Sequence, residues 1–385
     1  MRIVEHRVDS IPVNHRGNWV LVGLFTDDGL WGWGEASDSR DETLCIATLE
    51  RELAELRQGD DDALEIAARL VAHLPEDKPR RTALSALNQA LWDIAARREG
   101  RPVAALLTPG TPRPTMPLYA NVNRMCRDRS PGTVAEAGRD VLARNIRRIK
   151  FAPFDEVTPQ KLAKHGTGIV AAGRERLRAL RDAVGDDTEL MLDCHWRFTE
   201  DTVPLLAEIA REFAIGWIED PLPRFEAGQM RRLRDLSGAR IAGGEAFMTS
   251  EDLLRLAGSG CVDVLIADVK FVGGTGPLHE ICRRCADLGI AFAPHNPSGP
   301  VSTAASAHVV AANPNAEILE FSFGEVPWRA DVGAGEAVTD DSLTIAGPGY
   351  GLDIRRDRAG PPAAPPDPEA YPDHSARSRA ASGTG

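Results

Sequence analysis

Cysteine is scarce. Six thiols, at positions 45, 126, 194, 261, 282 and 285, are spread over 385 residues. That is too few for a disulfide-stapled secreted scaffold. They read as reduced, mostly buried thiols, and Cys282 and Cys285 in CRRC, on an apparent helix, read as packing residues rather than a zinc site. No apolar run approaches the length of a membrane span. The opening MRIVEHRVDSIPV alternates like a strand and lacks the apolar core of a signal peptide, so the cytoplasm is the expected location. Positive charge is in deficit, with a formal net charge of −12, which argues against nucleic acid and anionic membrane as partners. The glycine loop VKFVGGTGPLHE (269–280) lacks GxGxxG spacing and gives no dinucleotide site. No internal repeat is evident. Hydrophobic residues at 43% and charged residues at 26% are ordinary for a globular protein.

What the chain does have is a rhythm of acidic residues. LDCHWRF, WIEDPLP and IAGGEAF are short apolar runs, each ending in an acid: Asp193, Glu219 and Glu245, at successive intervals of 26 residues. A strand, a helix and their two loops need about 25–30 residues. The interval therefore puts one carboxylate at the C-terminal end of each strand in successive strand-and-helix units. In a closed parallel barrel those ends share one mouth. Three carboxylates there would repel one another unless a hard divalent cation lay between them, and Mg²⁺ is the economical choice. Any one alone would read as a loop acid or helix cap; three in step point to a site.

The surrounding chain agrees with a barrel preceded by a cap. Residues 1–35 hold strand patterns with TDDG as a hairpin turn, and NHRGN (14–18) is a polar loop between them. Residues 41–108 are helical in pattern, Gly100 and Pro102 ending the run TALSALNQALWDIAARREG. From Met116 strands and helices alternate: PLYANVNR (117–124), RRIKFAPFD (147–155), ELMLDCH, IGWIEDP, RIAGGEAF, DVLIADVKF, IAFAPHNP and EILEFSF are eight expected parallel strands, with GIVAAGRERLRALRDAVG among the helices between. The expected division is an α+β capping domain over 1–115, the barrel over 116–328, and a segment over 329–356 that packs back on the cap. Residues 357–385, rich in Pro, Ala, Arg and Ser, form an expected disordered tail.

Other strand ends should point into the same mouth: Asn121, Asn123 and Arg124 on the first, Lys150 on the second, Asp193, His195 and Arg197 on the third, Asp268 and Lys270 on the sixth, His295 and Asn296 on the seventh, and Glu320 on the eighth. Alternation puts Asp193 and His195 on one face, and likewise Asp268 and Lys270. A carboxylate beside a histidine fixes its tautomer and raises its basicity, so Asp268 with His295 reads as a proton-transfer pair. Asp268 could equally serve as partner to a neighbouring lysine.

With these residues assembled, the chain resembles the enolase superfamily, mandelate racemase subgroup, over roughly residues 1–355. The resemblance rests on ALWDIAARREGRPVAALL, the LD…IED…GGE series, ADVKFVGG followed by PHNPSG, and LEF on the last strand. It implies an α/β fold, a (β/α)7β-type modified TIM barrel with an N-terminal α+β capping domain. It implies Mg²⁺, one per subunit, on Asp193, Glu219 and Glu245. It gives Asp268–His295 as the dyad, Glu320 as the acid that hydrogen-bonds a developing enediolate, and Lys150 as the first lysine of a KxK motif. The second lysine is replaced by Ala152. Racemisation needs an acid or base on each face of the substrate, so the expected activity is a dehydratase of a sugar acid or related hydroxy acid, with a racemase or epimerase using Lys150 opposite His295 as the alternative. His195 resembles a strand-three histidine of acid-sugar dehydratases: either a second acid for the departing hydroxyl or a hydrogen-bonding residue near the metal. Asn121, Asn123, Arg124, Arg197, Asn296 and His15 are expected substrate contacts. The expected partner is a small hydroxy acid, and the expected assembly a symmetric homo-oligomer.

Overall fold

The computed structural model describes residues 1–14, 17–57, 61–126, 128–344 and 346–361. It begins with an antiparallel sheet of β1 (Ile3–Asn14), β2 (Gly17–Thr26) and β3 (Trp31–Glu35) in sequential order. The TDDG turn joins the last two, with Gly29 N–H donating to Thr26 O at 3.0 Å and Gly29 at φ +84°. Helices α1 (Glu42–Leu56), α2 (Ala63–Ala72) and α3 (Lys78–Arg98) follow, and each N-cap is an aspartate, Asp41, Asp62 or Asp77, accepting from a first-turn amide. α3 buries most of its surface between the sheet and the barrel. Gly34 on β3 makes this packing possible, since a Cβ there would stand 1.9 Å from Ala86 O. A short α4 (Val103–Leu107) leads to the barrel.

The barrel strands are β4 (Thr115–Asn121), β5 (Arg148–Phe151), β6 (Glu189–Asp193), β7 (Ile215–Glu219), β8 (Arg240–Gly243), β9 (Val264–Ala267), β10 (Ala291–Pro294) and β11 (Leu319–Ser322). They are parallel, running in order from β4 to β10, with β11 pairing β4. The ring closes where Phe292 on β10 bridges Ala316, just ahead of β11. Helices α5 (Pro131–Leu142), α6 (Pro159–His165), α7 (Ala171–Val184), α8 (Val203–Glu212), α9 (Ala227–Ser237), α10 (Ser250–Gly258), α11 (Thr275–Asp287) and α12 (Pro300–Ala312) form the outer layer. The barrel is filled, not hollow: Tyr119, Met191, Trp217, Val264, Ile266 and Ile318 belong to one buried interior cluster. Among the described residues, no helix is long and apolar enough to cross a membrane.

Three details differ from the sequence reading. The barrel strands are shorter. β5 stops at Phe151 rather than running on to Asp155, because Pro153 has no N–H for the ladder and the Ala152 N–H donates instead to Asn123 Oδ1 at 2.8 Å. The second unit carries two helices, because Pro159 starts α6 and Gly166, at φ +72°, ends it before α7. The third concerns strand ends at the mouth, described below.

The last described segment returns to the cap: Val103 N–H donates to Gly349 O at 3.0 Å, Tyr350 N–H to Asp93 Oδ1 at 2.7 Å, and Arg97 Nη2 to Leu352 O at 2.7 Å. Glu35 makes the firmest tie between cap and barrel. Its buried carboxylate accepts from the amides of Gly299 at 2.7 Å and Ser302 at 2.9 Å, at the start of α12, and from Ser37 Oγ at 2.6 Å.

His308, wholly buried on α12, accepts the Ala104 N–H on Nδ1 at 3.0 Å, joining α12 to α4. Burial lowers its pKa from 6.5 to about 3. Between those values only the unfolded chain takes up the proton, so this histidine's contribution is full above pH 6.5 and falls as pH drops, by roughly tenfold in the folding equilibrium per pH unit. His308→Asn can keep an acceptor for Ala104. We expect a flatter loss of thermal midpoint between pH 6.5 and 4 than in the wild type; an equal slope in the two proteins would remove His308 as the cause.

Candidate active site

Parallel strands deliver their C-terminal ends to one side of the barrel, and there the charged side chains meet. Asp193 ends β6, Glu219 ends β7, and the two are register partners. Glu245 follows β8 after Gly244, whose φ of +129° turns the chain at a point where a Cβ would lie 2.5 Å from Ile266 O. Asp268 directly follows β9, and His295 directly follows β10. Lys150 lies on β5 and Glu320 on β11.

The charges pair off. His195 Nε2 is 2.9 Å from Asp193 Oδ2. Lys150 Nζ is 2.6 Å from Glu219 Oε1 and 2.8 Å from Glu320 Oε1. His295 Nδ1 is 2.9 Å from Asp268 Oδ2, and its Nε2 is 2.9 Å from Glu245 Oε2. Lys270 Nζ donates to both Asp268 oxygens, at 2.9 and 2.7 Å. Glu320 also accepts from Asn121 Nδ2 at 2.6 Å and from the Asn296 N–H at 2.7 Å.

These contacts set the proton affinities. Burial pushes Glu219 up, to about 8; Lys150 opposes this, while Asp193, Glu320 and Glu245 add to it. Burial also acts to raise Asp193, but His195 and Lys150 outweigh it and hold that carboxyl below its ordinary range. Burial acts to lower His295 and Lys150, yet their carboxylate neighbours hold both well above their ordinary values. Asp268, despite burial, is held low by Lys270 and His295.

Among the described residues, no three His, Cys, Asp or Glu side chains stand as a ready metal-holding group. Asp193, Glu219 and Glu245 are each turned to a nitrogen instead. Their chemistry nevertheless fits a hard divalent ion. All three offer carboxylate oxygens, Asp193 and Glu245 raise the proton affinity of Glu219, and Glu219 Oε2 is buried with no hydrogen-bond partner.

Other expected site residues bond to the protein around them. Arg197 is buried and donates to the carbonyls of Asp155 and Val157 at 2.9 and 3.0 Å, fastening the loop after β5. Asn123 accepts from Ala152 N–H, and Asn121 Oδ1 accepts from the Asn123 N–H at 2.9 Å. Asn296 spends its side chain on Thr303, Ser302 and the Glu320 carbonyl. Arg124 bridges cap and barrel through Asp38 at 2.8 Å and Glu325 at 2.9 Å. Arg197, Asn123 and Asn296 thus hold backbone and neighbouring side chains around the mouth. Chain turning out of a strand leaves amides and carbonyls that need partners, and these side chains supply them. His15 lies outside the described residues.

The reason two pairs meet also needs correction. β6 stops at Asp193 and β9 at Ala267, so strand alternation does not align Asp193 with His195 or Asp268 with Lys270. In both cases the aspartate accepts the backbone N–H two residues on, at 3.1 Å for His195 and 2.8 Å for Lys270, and the turn brings the side chains together. Lys270 donates to both Asp268 oxygens, the lysine partnership that the sequence left open beside the His295 pairing. One feature escaped sequence reading. Asp220, beside Glu219, is buried at φ +41° with Oδ2 unpartnered, and the ED dipeptide in WIEDP marked it.

Residues 3–108 match the mandelate racemase / muconate lactonizing enzyme N-terminal domain, and residues 132–358 the enolase C-terminal domain-like family. The D-gluconate dehydratase of Thermoproteus tenax is 30% identical over 349 residues, covering 87% of this chain and 68% of that protein. The D-xylonate dehydratase of Haloferax volcanii is 27% identical over 376 residues, covering 91% and 86%. An enolase from Agrobacterium radiobacter, solved with Na and L-malate bound, superposes with a TM-score of 0.77 at 25% identity, over 93% of this chain and 94% of its own. Two matched domains in this order, joined to a parallel barrel whose mouth gathers these carboxylates, place the chain in the enolase superfamily, mandelate racemase subgroup.

Proposed function

We propose that this protein is a Mg²⁺-dependent dehydratase of a sugar acid or related hydroxy acid, producing a 2-keto-3-deoxy acid. The dehydratase names of its D-gluconate and D-xylonate relatives support the reaction class. One observation carries the choice of elimination over racemisation: base chemistry is available on one side only. His295 stands with Nδ1 on Asp268 at 2.9 Å. The position of the second KxK lysine is Ala152, which is buried. Lys150, the alternative base, faces Glu219 and Glu320 together, at 2.6 and 2.8 Å, which suits a fixed positive charge between two acids.

Asp193, Glu219 and Glu245 would hold Mg²⁺, which supplies positive charge beside the substrate carboxylate as negative charge develops there. Asp268 and Lys270 fix the tautomer and orientation of His295, leaving Nε2 to take the α proton. The C–H electron pair becomes the double bond of the enediolate, whose oxygen Glu320, as the strand-end acid, would hydrogen-bond. The β C–O bond then breaks, and its hydroxyl leaves as water with a proton from the His295 imidazolium or from His195. The resulting enol tautomerises to the keto acid.

With Mg²⁺ and a panel of sugar acids, keto acid should accumulate, measured by semicarbazone absorbance, and His295→Asn should lower kcat by about 10²–10⁴-fold. Exchange of the α proton in D₂O with the acid recovered and no keto acid formed would overturn dehydration. A second test concerns Lys150. Lys150→Met leaves Glu219 and Glu320 buried without their cation and should destabilise the metal-free protein by about 3–5 kcal/mol in denaturant titration. Adding Glu219→Gln should recover part of that loss; a Lys150→Met protein as stable as wild type would refute the pairing.

A further inference from the structure

Most cations around the mouth are already answered. Lys150 faces Glu219 and Glu320, Lys270 faces Asp268, Arg124 faces Asp38 and Glu325, and Arg129 and Arg197 share Asp155. Lys78 is different. Among the described residues, no carboxylate lies within 4.0 Å of its ammonium. It is the first residue of α3, so it reaches the mouth from the cap, and it is partly buried. Its Nζ sits 3.5 Å over the ring centroid of Phe271, in the turn after β9. A cation on an aromatic face is held in position without being neutralised.

The turn that carries Phe271 begins at Asp268, so Lys78 stands on the same side of the mouth as the proton-transfer pair. Asp38, Arg40, Asp268 and Lys270 all act on it, and burial brings its pKa down, to about 8. Asp38 and Asp268 each have a nearer cation, Arg124 and Lys270. A partly desolvated ammonium with no carboxylate in contact gains most from an anion that arrives with a ligand. The substrate carboxylate next to the reacting carbon belongs, under the function proposed above, at the opposite group of strand ends, β6 to β8. An anion at Lys78 must then be a second one on the same molecule.

We propose that Lys78 anchors the distal carboxylate of a dicarboxylic sugar acid, so that the enzyme prefers sugar diacids to monocarboxylic sugar acids of equal length. A hydroxyl at that end would leave the ammonium uncompensated, whereas a carboxylate completes an ion pair. The inference rests on the dehydratase reading for the placement of the first carboxylate.

The test uses the full chain with Mg²⁺ and matched pairs of aldaric and aldonic acids. Lys78→Met keeps the stem on Phe271 and removes the charge, and Lys78→Arg restores it. We expect the diacid-to-monoacid ratio of kcat/KM to fall about 10–100-fold in Lys78→Met, mainly through KM, and to recover in part in Lys78→Arg. In parallel, brief acylation of lysines followed by mass spectrometry should show Lys78 protected by diacids and not by monoacids. An unchanged ratio in Lys78→Met, or equal protection by both acid types, overturns the anchor while leaving dehydration intact. Diacid-specific protection with no acid dehydrated supports the anchor and sinks the dehydratase instead.

Discussion

Negative charge held out of water is the constraint that organises this structure. Asp193, Glu219, Asp268 and Glu320 are all buried at the barrel mouth, with Glu245 beside them. Ionised carboxylates in such a place are costly unless each finds a cation. Lys150, Lys270, His195 and His295 supply that compensation. The barrel explains why they can: neighbouring parallel strands bring side chains from distant parts of the sequence to one rim, so Lys150 reaches Glu219 and Glu320 at once. The cations gathered against those acids are what would favour a carbon acid becoming an anion there.

Below the rim the barrel is closed by its own side chains. Tyr119 and Trp217 meet edge to face with ring centroids 5.4 Å apart, and Lys150 rests above Tyr119, its Nζ 5.2 Å from that ring. The polar groups therefore have a solid floor, which limits where a substrate can lie. The cap provides the roof, with α3 laid across the loops after β8 and β9. Arg81 Nη1 on that helix donates to Met248 O at 2.9 Å, and Ser85 Oγ accepts the Gly273 N–H at 3.1 Å.

Much of the fold could be read from period alone. The 26-residue steps from Asp193 to Glu245 located three strands and their helices, and apolar runs located the rest, because a strand buried on both faces is a continuous hydrophobic segment. Strand ends were less legible. Whether Asn123, Arg197 or Asn296 faces a ligand or a backbone amide depends on where the ladder stops, and that is decided by contacts across strands, such as Ala152 N–H to Asn123. At the mouth, the acids stood out because three recur at one interval, and His295 because it follows Asp268 by one further strand-and-helix unit. Lys78 gave no such sign: it opens a helix of the cap, far from the barrel in sequence.

The Glu35 clamp has a consequence for how the two halves of the molecule communicate. Its carboxylate grips the amides of Gly299, on the loop that follows His295, and of Ser302, in the first turn of α12. A cap sheet that shifted or tilted would drag this loop with it and tilt the imidazole against Asp268. Disturbances in the cap sheet would therefore reach the His295–Asp268 contact, even where they never approach the barrel mouth themselves.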